Sequence, residues 1–435
     1  MLSNRGIQQL FPAAEGREAL PMRGAFMNLV DFYQAILKPP YPWHVAKVEM
    51  EATLQRVDVW LEHARDYVFQ CPVCGKPCPL HDHSEERAWR HLDTCECETF
   101  LHARLPRVSC REHGVKTGEF GMAVSGGSLS DKMESHSIRL LEACTVKDAA
   151  EILAVSWDVL HGVEERAVAR GLARRGTSFP VKLGIDEKQV FARHRYFTIV
   201  TDLEGGRVLD VMDKRGNEDI KPWFEEHAGQ LAKVEKVAMD MSAGYAGMAS
   251  RYMPQAAVCF DRFHLQQVVQ KAVDDTRKAE QAELPEEKHR QMFGGRYLFL
   301  WNEKNLPEKR RDEFEALKRI AVKTSRAWRI KEAFVSLWEA SAGDRDKGRE
   351  MFRKWFWWAT HSRLKFVIAA AKTLKRHLDG MLNALESRVT NAVTEGLNQK
   401  IEALKREACG YRNKESFRIA ILFRCAGLDM SPGRA

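Results

Sequence analysis

Residues 237–265 read VAMDMSAGYAGMASRYMPQAAVCFDRFHL. Two apolar runs each end on an aspartate, Asp240 after VAM and Asp261 after AVCF. A carboxylate at the edge of a buried strand is costly unless a partner compensates it. Between the runs, YAGMASRYM has the spacing of a helix. The stretch therefore predicts strand–helix–strand, with both acids at strand ends.

Upstream, FPVKLGIDEKQV predicts a strand with Asp186 in its middle. YFTIVTDLEGGRVLDVMDKRG predicts a hairpin about its Glu-Gly-Gly turn. NEDIKPWFEEHAGQLAKVE predicts a helix, with Asn217 as its cap and Pro222 in its first turns. The order β-β-β-α-β-α-β describes a mixed sheet with an initial meander, as in the RNase H-like fold. In that fold the first and fourth strands are neighbours, so Asp186 and Asp240 meet. Two nearby carboxylates repel, and one takes up a proton unless a cation intervenes. Hard oxygen ligands suit magnesium or manganese.

A third acid is found in SRVTNAVTEGLNQKI, residues 387–401. Val389, Val393, Leu397 and Ile401 recur at fourfold spacing, the stripe of a buried helix face. Glu395 and Asn398 are three apart and share a face beside that stripe.

The N-terminal residues show no apolar core followed by a cleavage site, so secretion is not expected, and ten cysteines then point to metal or free thiols. Cys71 and Cys74 in CPVC form one knuckle, and Cys110 and His113 in CREH repeat the two-residue gap. Two such pairs predict a closed tetrahedral zinc site in a ribbon of hairpins. Cys78, Cys95, Cys97, His81, His83 and His91 compete as ligands, and plain buried thiols are the simpler alternative. Residues 145–168, TVKDAAEILAVSWDVLHGVEERAV, predict two short helices about the turn AVS. Ser156 would cap the second helix, and Val159 and Val163 give it an apolar stripe. This is the pattern of a helix-turn-helix whose second helix enters a major groove, or of an ordinary αα-hairpin.

The balance of 68 Lys and Arg against 60 Asp and Glu gives +8, compatible with a polyanion partner but no proof of one. No apolar run reaches the roughly 18 residues of a membrane span, and none is expected.

The stretches GIDE, VAMDMSAGY, CFDRFH and SRVTNAVTEGLNQKI, preceded by CPVC…CREH, together resemble bacterial insertion-sequence transposases of the ISL-three type. The resemblance runs over roughly residues 30–425, and its specificity lies in the order of the motifs. It implies a DDE enzyme with an RNase H-like catalytic domain. Asp186, Asp240 and Glu395 would be the catalytic acids, holding two Mg2+ or Mn2+ ions. Asp261 and His264 would be accessory, although Asp261 also ends a strand and competes with Asp240. A structural Zn2+ would sit on Cys71, Cys74, Cys110 and His113. DNA contacts would come from Ser156, Trp157 and His161, and from Asn398.

The expected chain is thus multidomain α/β. Residues 1–26 form a flexible leader, 27–125 a zinc-binding module and 126–176 a helix-turn-helix. Residues 177–265 begin the catalytic core, 266–383 are an α-helical insertion and 384–435 complete the core. The insertion holds Trp301, Trp328, Trp338, Trp355, Trp357 and Trp358, read either as helix packing or as one ring stacked on a displaced base. Its basic runs are read as phosphate contacts or solvated helix faces.

The implied activity is cleavage of double-stranded DNA at terminal inverted repeats, freeing 3′-hydroxyls that are joined to target DNA. A homodimer or larger assembly, in the cytoplasm at the nucleoid, would hold two ends. The competing readings are a DNA-binding regulator without catalysis and a metal-dependent nuclease without strand transfer.

Overall fold

The computed structural model describes residues 28–432 except 52, 54, 125, 177, 192–194, 214–215 and 388–391. The expected leader, residues 1–26, and Val389 lie outside them. The chain divides into two compact units, residues 1–140 with 431–435, and residues 141–430. The boundary falls inside the segment assigned to the helix-turn-helix, near the end of a helix that precedes it. Among the described residues no helix is long and apolar enough to cross a membrane.

The first unit opens with α1 (Leu29–Leu37), capped by Asn28. Its sheet contains β1 (Trp43–Glu51), β2 (Arg56–His63), β3 (Leu80–Thr94), β4 (Cys97–Cys110) and β5 (Gly114–Thr117), and α2 (Asp131–Leu141) follows. The strand order is β1-β2-β4-β3, with β5 pairing the far end of β4. On β2, Val57, Val59 and Leu61 alternate inward, the period of a half-buried strand. They meet Trp43, Trp89 and Leu101 in one core, where Phe120 stacks on Trp89.

The second unit begins with α3 (Val146–Leu153) and α4 (Trp157–Arg174). Thr145 caps α3 and Ser156 caps α4, each with a side-chain oxygen. Its sheet contains β6 (Lys182–Phe191), β7 (Arg195–Asp202), β8 (Arg207–Asp213), β9 (Lys236–Met239) and β10 (Ala257–Phe260). The order is β10-β9-β6-β7-β8. The β6–β7–β8 meander is antiparallel, whereas β9 and β10 run parallel to β6. Helices α5 (Asn217–Glu226) and α6 (Ala228–Leu231) precede β9, and α7 (Ala243–Tyr252) joins β9 to β10. The single helix expected over 217–235 is broken at His227, and its N-cap is Gly216 rather than Asn217.

A helical segment follows β10. It comprises α8 (Arg262–Ala282), α9 (Glu286–Gly294), α10 (Arg296–Leu300), α11 (Arg311–Ile320), α12 (Val322–Ser341), α13 (Arg345–Thr360), α14 (Lys365–Arg376) and α15 (Leu378–Ser387). One apolar core runs from Leu183, Ile185, Val237 and Met239 of the sheet to Val269, Phe334, Trp355 and Leu374 of these helices. Helix α15 packs closely on β10: a Cβ at Gly380 would lie 2.3 Å from the Phe260 ring, and Asn383 donates to the Val258 carbonyl at 2.9 Å. Finally α16 (Ala392–Glu407) returns to β6, and α17 (Lys414–Cys425) covers β8, where Arg418 donates to the Val211 carbonyl.

Candidate active site and metal centre

Strand register places three aspartates side by side. Ile185 pairs with Met239, and Met239 with Phe260. Asp186, Asp240 and Asp261 each stand one residue past that row. Neighbouring strands are about 4.8 Å apart and alternate residues face opposite sides. Ile185 and Met239 therefore fill the core while the next residue of each strand turns to the opposite face.

Helix α16 lies on that face. Asn398 Nδ2 donates to Asp186 Oδ2 at 2.6 Å, and the Glu187 backbone N–H donates to Asp186 Oδ1 at 2.8 Å. Lys188 pairs with Glu402 at 3.1 Å. Thr394 is buried against the strand, its Oγ1 3.4 Å from Thr201 Oγ1. Gly184 makes the approach possible: a Cβ there would lie 2.3 Å from Thr201 Oγ1 and 2.8 Å from Thr394 Oγ1. A glycine within a strand is the sequence sign of such a close approach, here in GIDE. Burial holds the Asp186 carboxyl above its usual range, and Asp240 pushes the same way. The Asn398 amide and the Glu187 N–H oppose the shift.

Asp186, Asp261 and Glu395 border a cavity of about 870 Å³ that His264, Trp338 and Asn398 also line, among others. Glu395 is exposed and opens onto it. Asp240 is absent from its lining; its Oδ1 accepts from the Ser242 N–H at 2.8 Å. Asp261 caps α8, accepting from the Phe263 N–H at 3.0 Å, and its other oxygen is 3.9 Å from His264 Nε2. Asp-x-x-His is thus a helix cap followed by a residue on the same turn. Trp338 reaches the cavity from α12, with the Arg262 guanidinium 5.6 Å from its ring. Trp328 and Trp355 are core residues, and Trp357 and Trp358 are exposed. Lys188, Arg262 and Phe263 also line the cavity and were not singled out from sequence. The last two sit inside the quoted DRFH.

The cysteine module closes. Cys74 Sγ lies 3.8 Å from Cys110 Sγ, and His113 Nδ1 lies 3.6 Å from Cys110 Sγ and 3.8 Å from Cys71 Sγ. A zinc tetrahedron with its usual bond lengths puts two sulfurs about 3.8 Å apart, and sulfur and nitrogen about 3.6 Å. Gly75 and Gly114 follow the two knuckles with φ of 70° and 67°, the left-handed turn each requires. Backbone N–H groups of Glu112 and His113 pull the Cys110 thiol down to about 6. Among the described residues this is the group of three or more His, Cys, Asp or Glu whose ligand atoms all lie within 4.8 Å. The acids at 186, 240, 261 and 395 are not gathered that closely. The competing cysteines fall elsewhere: Cys95 is exposed, Cys97 joins the sheet core, and Cys78 is buried beside the cluster but outside the set.

At the helix pair, Trp157 is 47% exposed and stacks on His161 at 4.7 Å. The Ser156 hydroxyl is committed to the cap, accepting from the Val159 N–H at 3.3 Å. His161 faces inward, with Nε2 3.2 Å from Ser416 Oγ, and Glu164 raises its pKa. Asn398, expected at DNA, spends its Nδ2 on Asp186.

Residues 183–421, more than half of the chain, match the family model for transposases of the DDE ISL3 type. Residues 68–113 match the zinc-finger of transposase IS204/IS1001/IS1096/IS1165. The chain belongs to the ISL3 family of insertion-sequence transposases. The transposase for insertion sequence element IS1557 of Mycobacterium tuberculosis is 24% identical over 392 residues, 84% of this chain and 88% of that protein. The transposase for IS1001 of Bordetella parapertussis is 24% identical over 361 residues, 81% of this chain and 88% of that protein.

Proposed function

We propose that this chain is a metal-dependent DNA transposase with an RNase H-like core, in which Asp186, Asp240 and Glu395 are the catalytic acids. The observation that carries the reading is the row formed by Asp186 in the middle of β6 and by Asp240 and Asp261 just past the ends of the parallel strands β9 and β10, with the Glu395 helix laid against the first of them. The donor set fits hard divalent cations: a buried carboxylate with a raised pKa, a second carboxylate beside it and a third on the cavity wall. Bound there, two Mg2+ or Mn2+ ions would lower the pKa of water and stabilise the leaving 3′ oxygen.

The chain's own part is to orient. Asn398 and the Glu187 N–H fix both oxygens of Asp186, and the Ser242 N–H fixes Asp240. Asp261 and His264 border the same cavity, where they support the phosphate from the side. Zinc on Cys71, Cys74, Cys110 and His113 stabilises the first unit, and α3–α4 with Trp157 contact the terminal inverted repeat. Two ends must be held at once, so the working form is a dimer or larger.

The test is a strand-joining assay. Labelled fragments carrying the ends of the element that encodes the chain are incubated with supercoiled plasmid and Mg2+ or Mn2+. Wild type cleaves the ends and joins them, whereas Asp186→Asn binds the ends and does neither. Wild-type binding without cleavage would point to a regulator. Cleavage without joining of precut ends bearing free 3′-hydroxyls would point to a nuclease.

A further inference from the structure

Asn398 is more than a neighbour of Asp186. Its Nδ2 is engaged at 2.6 Å, yet its Oδ1 is buried and has no hydrogen-bond partner. A buried amide oxygen without a partner costs roughly 1–3 kcal/mol. Turning the amide over does not relieve it, because that would set two oxygens 2.6 Å apart beside a carboxylate. The orientation is thus fixed by Asp186, and the orphaned acceptor points to a group supplied on binding. An amide oxygen is a hard, neutral acceptor suited to a divalent cation or to water on it.

We infer that Asn398 is a positioning residue of the acid site, whose Nδ2 locks the Asp186 carboxylate while its Oδ1 receives the hydrated divalent cation held there. The inference rests on the acid-site reading above and gives Asn398 a role toward metal rather than DNA. It also explains why the residue sits three positions after Glu395: one helical turn then delivers a charged and a neutral oxygen to the same cation-binding region.

The experiment is Mn2+ titration of the full-length protein followed by the loss of the free-ion electron paramagnetic signal, with no DNA present. Zinc-loaded wild type, Asn398→Leu, Asn398→Ala and Asp186→Asn are compared. Asn398→Leu keeps the side-chain volume, and Asn398→Ala covers the case in which leucine perturbs the helix. Thermal melts without Mn2+ verify that each variant is folded. Loss of a group that orients a metal ligand weakens binding about 10- to 100-fold.

The expected result is weaker Mn2+ binding by that factor in both Asn398 variants, with strand cleavage partly restored at high Mn2+, so that the metal requirement rises more than the maximal rate falls. Wild-type Mn2+ affinity in a folded Asn398 variant, alongside weakened binding in Asp186→Asn, overturns this inference alone. Unchanged affinity in Asp186→Asn as well overturns the acid-site reading on which it stands.

Discussion

Asn398 on α16 donates to Asp186 on β6 at 2.6 Å, and this bond is the middle rung of three. Gly184 faces Thr394 before it, and Lys188 meets Glu402 after it. Strand residues two apart advance about 6.7 Å, and helix residues four apart advance about 6.0 Å. The two spacings agree closely enough for three successive contacts without bending either element. Glu395 inherits its position from this match, one residue past Thr394 and one turn before Asn398.

The first rung can be tested through Gly184. Any side chain there enters the space of Thr201 Oγ1 and Thr394 Oγ1. Gly184→Ala is expected to destabilise the protein by about 1–3 kcal/mol through overpacking. It also moves α16, so strand cleavage falls further than stability. Because Thr201 Oγ1 is the nearest atom, a double-mutant cycle with Thr201→Ala should show coupling well above the scatter of independent sites. Urea unfolding monitored on the second unit reads both, and an additive cycle would remove the close approach as the reason for the glycine.

The acids divide by what else they do. Asp186→Asn, Asp240→Asn and Glu395→Gln each remove one charge from the proposed metal site. Several kcal/mol of transition-state stabilisation corresponds to at least about 100-fold in rate. Asp261 spends one oxygen capping α8, and Asn caps about as well. Asp261→Asn should therefore fold normally and lose less activity than the other three. Single-turnover cleavage of labelled ends measures all four, and an equal loss in Asp261→Asn would promote Asp261 to a metal ligand in place of Asp240.

Zinc removal acts on the other unit. Cys71, Cys74 and Cys110 of the cluster belong to a small apolar group with Phe69 and Val108. Such a cluster is too small to hold the knuckles without the metal. Cys74→Ser or chelation should lower bound zinc from one equivalent toward none and weaken DNA-end binding. Cys95→Ser, at an exposed position, should leave both unchanged. Elemental analysis and a mobility shift assay report the two effects.

How much of this was legible in the sequence follows from how local each feature is. The knuckles were, because two-residue gaps and a following glycine fix their geometry within a few residues. The strand order around Asp186 and Asp240 was, because apolar runs and the Glu-Gly-Gly turn define the strands. The helix break at His227 was not, because Gly229 beside it falls inside the second helix and Pro222 lies more than a turn before it, so neither marks the break itself. The partner of Asn398 lies 212 residues away, and no local pattern announces it. His161 was expected at DNA because it stands on the second helix of the pair, and its contact with Ser416 of α17, 255 residues on, has no local sign in the sequence.

Helix α12 shows a cap supplied from a distance. Its own N-cap residue, Ala321, offers no side-chain acceptor. Glu280 of α8 replaces it, accepting from the Lys323 N–H at 2.8 Å and from the Thr324 N–H and Oγ1 at 2.7 Å each. Truncation to alanine leaves buried donors unpaired and removes a negative charge from a helix N-terminus. Glu280→Ala should cost about 2–4 kcal/mol, the sum expected for those terms. Glu280→Gln, which keeps an acceptor oxygen, should cost less. Denaturant midpoints of the two variants decide it, and equal losses would mean that the charge dominates.

His91 gives the first unit a pH dependence. It is 6% exposed, its Nδ1 is 2.7 Å from Ser130 Oγ, and burial lowers its pKa to about 4, with Lys132 and Arg90 adding repulsion. Unfolded, the ring returns to about 6.5. Above that value neither state is protonated and His91 adds nothing. Between about 6.5 and 4 the unfolded chain binds the extra proton, so stability falls as pH falls. By pH 5 the loss is about 2 kcal/mol, and it levels near 3 kcal/mol below the folded value. Hydrogen-exchange protection of β3 and β4, corrected for the intrinsic rate, should drop accordingly from pH 7 to 5. His91→Gln should flatten that drop. Cys110, whose thiol is pulled down to about 6, falls in the same range, but wild type and variant share it, so the difference between the two curves belongs to His91.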